Sequence, residues 1–172
     1  MLVNRLKQWT GLANATIIFD SDTDVFTEDA LFLNVQGRGN IAIVAATSDG
    51  DVFGGYYTVP VTEQWQAFRD PNIFLFSFKS HGRCPTPQRF PLKPGKRRRN
   101  AFVKYFVDST DWWFVAFGAG GADCVSFGDE NSFTWCNNLS KCFDGLENTT
   151  LTGVNGKNNP HLCTRILAVH LW

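Results

Sequence analysis

The chain is poor in the residues that most often carry chemistry or bulk charge. It has three histidines and one methionine, and only 19% of its 172 residues are charged. The 16 basic and 16 acidic side chains cancel, which weighs against a role driven by overall charge on nucleic acid or an anionic surface. No run approaches the roughly 18 apolar residues of a membrane span, so no membrane insertion is expected. The opening residues lack the apolar core of a secretory signal. There is no C-x-x-C knuckle of the kind that builds zinc sites and no G-x-S-x-G nucleophile elbow. The five cysteines are an odd number. Without a secretory signal, the expectation is a reducing compartment in which all five stay thiols. In that setting the N-glycosylation triplets at Asn14, Asn138 and Asn148 are chance matches. The expected location is cytoplasmic, with the nucleus as an alternative.

What is present points to sheets. Aromatic residues make up 15% of the chain, 16 of them Phe, beside 15 Gly and 7 Pro. Large flat side chains suit pleated, half-buried surfaces. The length fits one domain, and it is enough to bury a full core without staples. Residues 2–12 carry Leu2, Leu6 and Trp9 at helical spacing, and Gly11 is a stop. A second short helix is expected over 27–34, capped by Thr27 and with acids in its first turn. A strand is expected at 16–19. Residues 41–47 and 52–57 read as a hairpin around a Gly-bearing turn. Gly54 and Gly55 inside its second arm suggest a bulge or a close backbone approach. Residues 63–68 read as a helical turn and 73–78 as a strand with an aromatic face. The Pro-rich stretch 80–100 reads as an irregular exposed loop. Strands follow at 101–107, 112–117, 124–127 and 164–172, with a tight glycine turn at 118–123. About eight strands and a few short helices give a mainly β, α+β chain: a two-layer antiparallel β-sandwich flanked by short helices, in a single domain over 1–172.

Several clusters invite a chemical reading. Asp20, Asp22 and Asp24 resemble the start of a calcium loop. Val25 stands where that loop needs Gly, and Leu31 where it needs a bidentate Glu, so an acidic turn is expected. Cys124, Cys136, Cys142, Cys163 and His161 are soft ligands without tight pairing, and buried thiols are the plainer expectation. Cys136 and Cys142 are the candidates for a redox-active thiol, since reactivity follows local pKa and exposure. His81, His161 and His170 are the only side chains that could serve as a histidine base. The turn at 118–123 has neither a following helix nor a lysine to cradle phosphate. No cofactor and no metal are expected. Lys96, Arg97, Arg98 and Arg99 form a basic run, and residues 71–107 hold nine Lys or Arg and no acid. That run is the candidate docking or nuclear-targeting patch. The neutral overall balance sets it against general nucleic-acid binding.

The order of landmarks resembles the TLDc domain over nearly the whole chain, from Trp9 to Trp172. The features are the segment 17–26, the segment 48–56 with Phe53-Gly54-Gly55-Tyr56, and the segment 70–78. The glycine turn 118–123, Cys142-Phe143 with Leu151-Thr152-Gly153, and the strand 166–172 complete the set. The style is similar to small stand-alone TLDc proteins of amoebozoan protists. The resemblance implies a β-sandwich flanked by short helices. It also implies a non-enzymatic role in oxidative-stress protection and, for several members, binding and control of the vacuolar proton-pumping ATPase. His170 stands where the family typically has Glu, and the basic loop 83–99 has no family counterpart, so no pump contact is carried over to a residue. The alternatives are a thiol-based redox protein and a nuclear or nucleic-acid-associated regulator using residues 96–99.

Overall fold

The computed structural model describes residues 2–95, 99–107, 113–120, 122–128, 135–155 and 162–172. The described strands, many of them apolar on both faces, pair into two antiparallel sheets. The first contains β1 (Ala15–Asp20), β2 (Ile41–Thr47), β3 (Val52–Tyr57), β5 (Phe74–Lys79), β6 (Gln88–Pro91) and β11 (Cys163–Leu171), in the order β1-β11-β2-β3-β5-β6. The second contains β4 (Ala67–Arg69), β7 (Phe102–Tyr105), β8 (Trp113–Ala119), β9 (Ala122–Gly128) and β10 (Trp135–Cys136), in the order β10-β9-β8-β7-β4. Three helices accompany them: α1 (Leu2–Thr10), α2 (Glu28–Val35) and the single turn α3 (Leu139–Cys142). The mainly β sandwich expected from the sequence is the fold observed, with eleven strands among the described residues where about eight were expected.

The main core lies between the sheets. Ile41, Ile43, Phe53, Tyr57, Leu75 and Phe90 enter it from the first sheet, and Val103, Tyr105, Val115, Phe117, Val125 and Phe127 from the second. Tyr57 and Tyr105 meet across the interface, hydroxyl to hydroxyl at 3.0 Å, so each buried phenol is satisfied. Burial raises both phenol pKa values. The opposite face of the first sheet is also apolar. Ala42, Val44, Tyr56, Phe74, Phe76, Val169 and Leu171 form a second cluster that α1 covers with Leu6 and Trp9. The Trp9 ring stacks on Phe78 at 5.3 Å.

Gly54 and Gly55 mark a close approach. A Cβ on Gly54 would stand 1.9 Å from the Ile43 carbonyl oxygen, and one on Gly55 would stand 2.7 Å from the Phe117 ring. The β2–β3 register runs through both residues without interruption. Thr27 caps α2, its Oγ1 accepting from the Ala30 N–H at 3.3 Å. Asp70 is wholly buried yet satisfied, accepting from the Thr58 N–H at 2.5 Å and the Asn72 N–H at 2.8 Å.

Two local expectations are corrected. Residues 63–68 are not a helical turn. Trp65 takes φ +67°, incompatible with a right-handed helix. Its N–H bonds the Tyr105 carbonyl at 2.6 Å, which lays residues 67–69 along β7 as β4. The stretch 80–100 is not wholly irregular, because β6 pairs with β5 through Leu75 and Phe90. It is the last strand of its sheet, where Pro91 can sit without depriving a neighbour of a hydrogen bond.

Candidate functional site

At one end of the sandwich three distant segments converge on a buried acid. Asp51 follows Gly50 in the β2–β3 turn and is wholly buried. One carboxylate oxygen accepts from the Arg83 guanidinium, and the other lies 2.8 Å from His81 Nδ1. The Arg83 guanidinium also donates to the carbonyls of Thr150 and Leu151, each at 3.0 Å. The Asp51 N–H bonds Thr47 Oγ1 at 3.1 Å, and that hydroxyl donates to Asp49 at 2.5 Å. The β2–β3 turn, the 80–84 segment and the 147–153 segment are thereby tied together. His81 is half-exposed, its side chain 45% accessible, and its φ is +48°.

Asp49, Asp51 and His81 place three ligand atoms within 4.8 Å of one another, a set that could hold a divalent cation. The Arg83 guanidinium on Asp51 already supplies the opposing charge, so the arrangement works first as a structural clamp. The acidic turn has the same character. Arg165 forks onto both oxygens of Asp20 at 2.9 and 2.6 Å and reaches Asp22 at 3.0 Å. That bidentate hydrogen bond lowers the Asp20 pKa below the usual carboxylate range, against a smaller opposing effect of burial.

The five cysteines form no disulfide. Cys136 and Cys142, the two candidate redox thiols, are both buried. Burial pushes the Cys136 thiol up to about 12. Cys142 on α3 lies 3.3 Å from Cys124 on β9, sulfur to sulfur. That contact, then burial, raises the Cys124 pKa strongly. Cys84 is half-buried.

Among the described residues, the structure does not bring the other sequence candidates together. Of the basic run, Arg99 is exposed with its N–H toward the Gly95 carbonyl, while Lys96, Arg97 and Arg98 lie outside the described residues, as does His161. His170 stacks beside Trp172, ring centroids 5.1 Å apart. Burial lowers its pKa, and Arg38 adds to the effect. The glycine turn is the β8–β9 hairpin, Gly120 at φ +69°. The Asp51–His81–Arg83 cluster is absent from the sequence reading because its members lie 30 and 32 positions apart. The one signal for it was an Asp at the mouth of a strand, a position where burial demands a cationic partner.

None of the described helices is long and apolar enough to cross a membrane. No curated protein matches the chain. A family model does: the TLDc domain matches residues 1–163. The family is generally linked with oxidative-stress resistance and is generally non-enzymatic. The chain belongs to the TLDc domain family as a small TLDc protein.

Proposed function

We propose that the protein is a non-enzymatic interaction module of oxidative-stress protection, working in the cytoplasm by docking on a protein partner. The vacuolar proton-pumping ATPase is the first partner to test. The observation that carries this reading is the TLDc match across residues 1–163. The engagement of the best chemical candidates in structural contacts supports it: Asp51 on Arg83 and Asp20 on Arg165. An affinity pull-down from normal and peroxide-treated cells is the test. Recovery of pump subunits is expected. Recovery of none removes the pump partner, and unchanged peroxide sensitivity after knockdown removes the stress role.

A second reading rests on the 3.3 Å contact between Cys124 and Cys142, which favours a thiol-based redox protein. Peroxide titration of the purified chain tests it, and it fails if no thiol reacts faster than free cysteine. A nuclear or nucleic-acid role for Lys96, Arg97, Arg98 and Arg99 is tested by neutralising all four. Unchanged location and binding would leave the run a solvated loop.

A further inference from the structure

We propose that the groove between α1 and the β3–β5–β6 end of the first sheet docks an acidic polypeptide segment bearing large apolar anchors. The inference rests on the docking reading above and names the surface and the chemistry of what it receives. The groove has a volume of about 330 Å³ and is lined by Leu2, Val52, Phe78 and Pro87, with Arg5 and Lys79 at its margin. That volume falls within the range of roughly 300–1,000 Å³ typical of ligand sites. It accommodates the anchor side chains that dominate binding energy at peptide interfaces.

Charge selects the occupant. The helix α1 contains Arg5 and Lys7 and no acid. Residues 71–91, which supply β5, β6 and the connection between them, contain Lys79, Arg83 and Arg89 and no acid. Among the described residues no carboxylate lies within ion-pair distance of Arg5, Lys7, Lys79 or Arg89. The nearest acids in sequence, Asp49 and Asp51 beside Val52, are bonded to Thr47 and to Arg83 with His81. Arg89 is held above the Phe74 ring, 5.7 Å from its centroid, and donates to the Trp9 carbonyl. An apolar slot whose margin carries two cations, Arg5 and Lys79, without acidic partners among the described residues is complementary to apolar anchors flanked by carboxylates. A basic or purely apolar segment would leave Arg5 and Lys79 uncompensated.

The experiment is fluorescence anisotropy on the full chain. The probe is a labelled peptide in which pairs of Leu alternate with pairs of Glu, and the control carries Lys in place of every Glu. The Glu peptide binds, its affinity falls as salt rises, and the control does not bind. The double variant Arg5→Glu, Lys79→Glu weakens binding about tenfold or more with an unchanged melting temperature. Leu2→Ser weakens it without altering the salt dependence. Absence of Glu-peptide binding, equal binding of the Lys control, or unchanged affinity in the double variant overturns the proposal. Vesicles of phosphatidylcholine with phosphatidylserine form a second arm. Vesicle binding that the double variant abolishes, without peptide binding, assigns the groove to a membrane surface and overturns the proposal. Self-association abolished in the same way assigns it to a second copy and does likewise. Pump recovery in the pull-down is read separately, so failure of the groove and failure of the docking role remain distinguishable.

Discussion

The wholly buried carboxylate of Asp51 is held by the guanidinium of Arg83, 32 positions further along the chain. The pair closes one end of the sandwich, because Arg83 also binds the carbonyls of Thr150 and Leu151. Removing the cation strands a buried charge, which costs more than the pair itself contributes. Arg83→Met is expected to lose about 3 kcal/mol of unfolding free energy. Asp51→Asn, which keeps an acceptor oxygen, is expected to lose less. Urea denaturation followed by fluorescence measures both, and an Arg83→Met loss below that of Asp51→Asn contradicts the clamp.

Gly55 of the first sheet faces the Phe117 ring of the second. A side-chain carbon there meets the Phe117 ring at 2.7 Å, and one on Gly54 meets the Ile43 backbone carbonyl at 1.9 Å. A ring can shift, whereas a paired carbonyl cannot without breaking the β2–β3 ladder. Gly55→Ala is expected to cost about 1–3 kcal/mol, and Gly54→Ala more, enough to lower soluble yield. Thermal melting of the two variants side by side checks the order.

The pH dependence has two limbs. Asp20 has a lowered pKa in the folded chain because Arg165 binds its charged form. Its contribution is complete above the ordinary carboxylate range and is lost as pH falls through the folded value. Asp20→Asn therefore flattens the acid limb, modestly, since exposed pairs contribute about 1 kcal/mol or less. His170 has a lowered pKa because burial disfavours its cation. The unfolded chain then binds the proton more readily, so stability falls as pH drops from about 7 through the ordinary histidine value near 6.5. His170→Gln should remove that decline, as measured by denaturation across this window.

Thiol reactivity should follow burial. At neutral pH a thiol pushed up to about 12, as in Cys136, is almost wholly protonated, and the thiolate is the reactive form. Cys84, the half-buried member, is expected to react first with Ellman's reagent. The four buried thiols should react only when denaturant opens the fold. Rapid labelling of Cys136 or Cys142 in the native chain would favour the redox reading.

The strongest periodic signals in the sequence map directly onto the fold. The hairpin of β2 and β3, the aromatic alternation of β5, the Thr27 cap and the terminal strand are all set by local pattern. Gly54 and Gly55 announced a close approach, although the partners, Ile43 and Phe117, come from two different sheets. β6 was hidden because Pro91 and its neighbouring prolines mask a strand whose edge position makes proline tolerable. β4 is not legible in the sequence because nothing local to Trp65 signals its positive φ, which goes with the bond from its N–H to the Tyr105 carbonyl. The Asp51 clamp and the groove beside α1 are products of chain crossing, and no window of sequence contains either.

Replacing all five cysteines while retaining the fold separates docking from chemistry most directly. A variant with Cys84→Ser and the four buried cysteines changed to Ala or Val, verified by circular dichroism and melting, is expressed in cells lacking the native protein. Peroxide survival equal to that conferred by the native chain is the expected result. Loss of protection by a folded, cysteine-free chain would contradict the account.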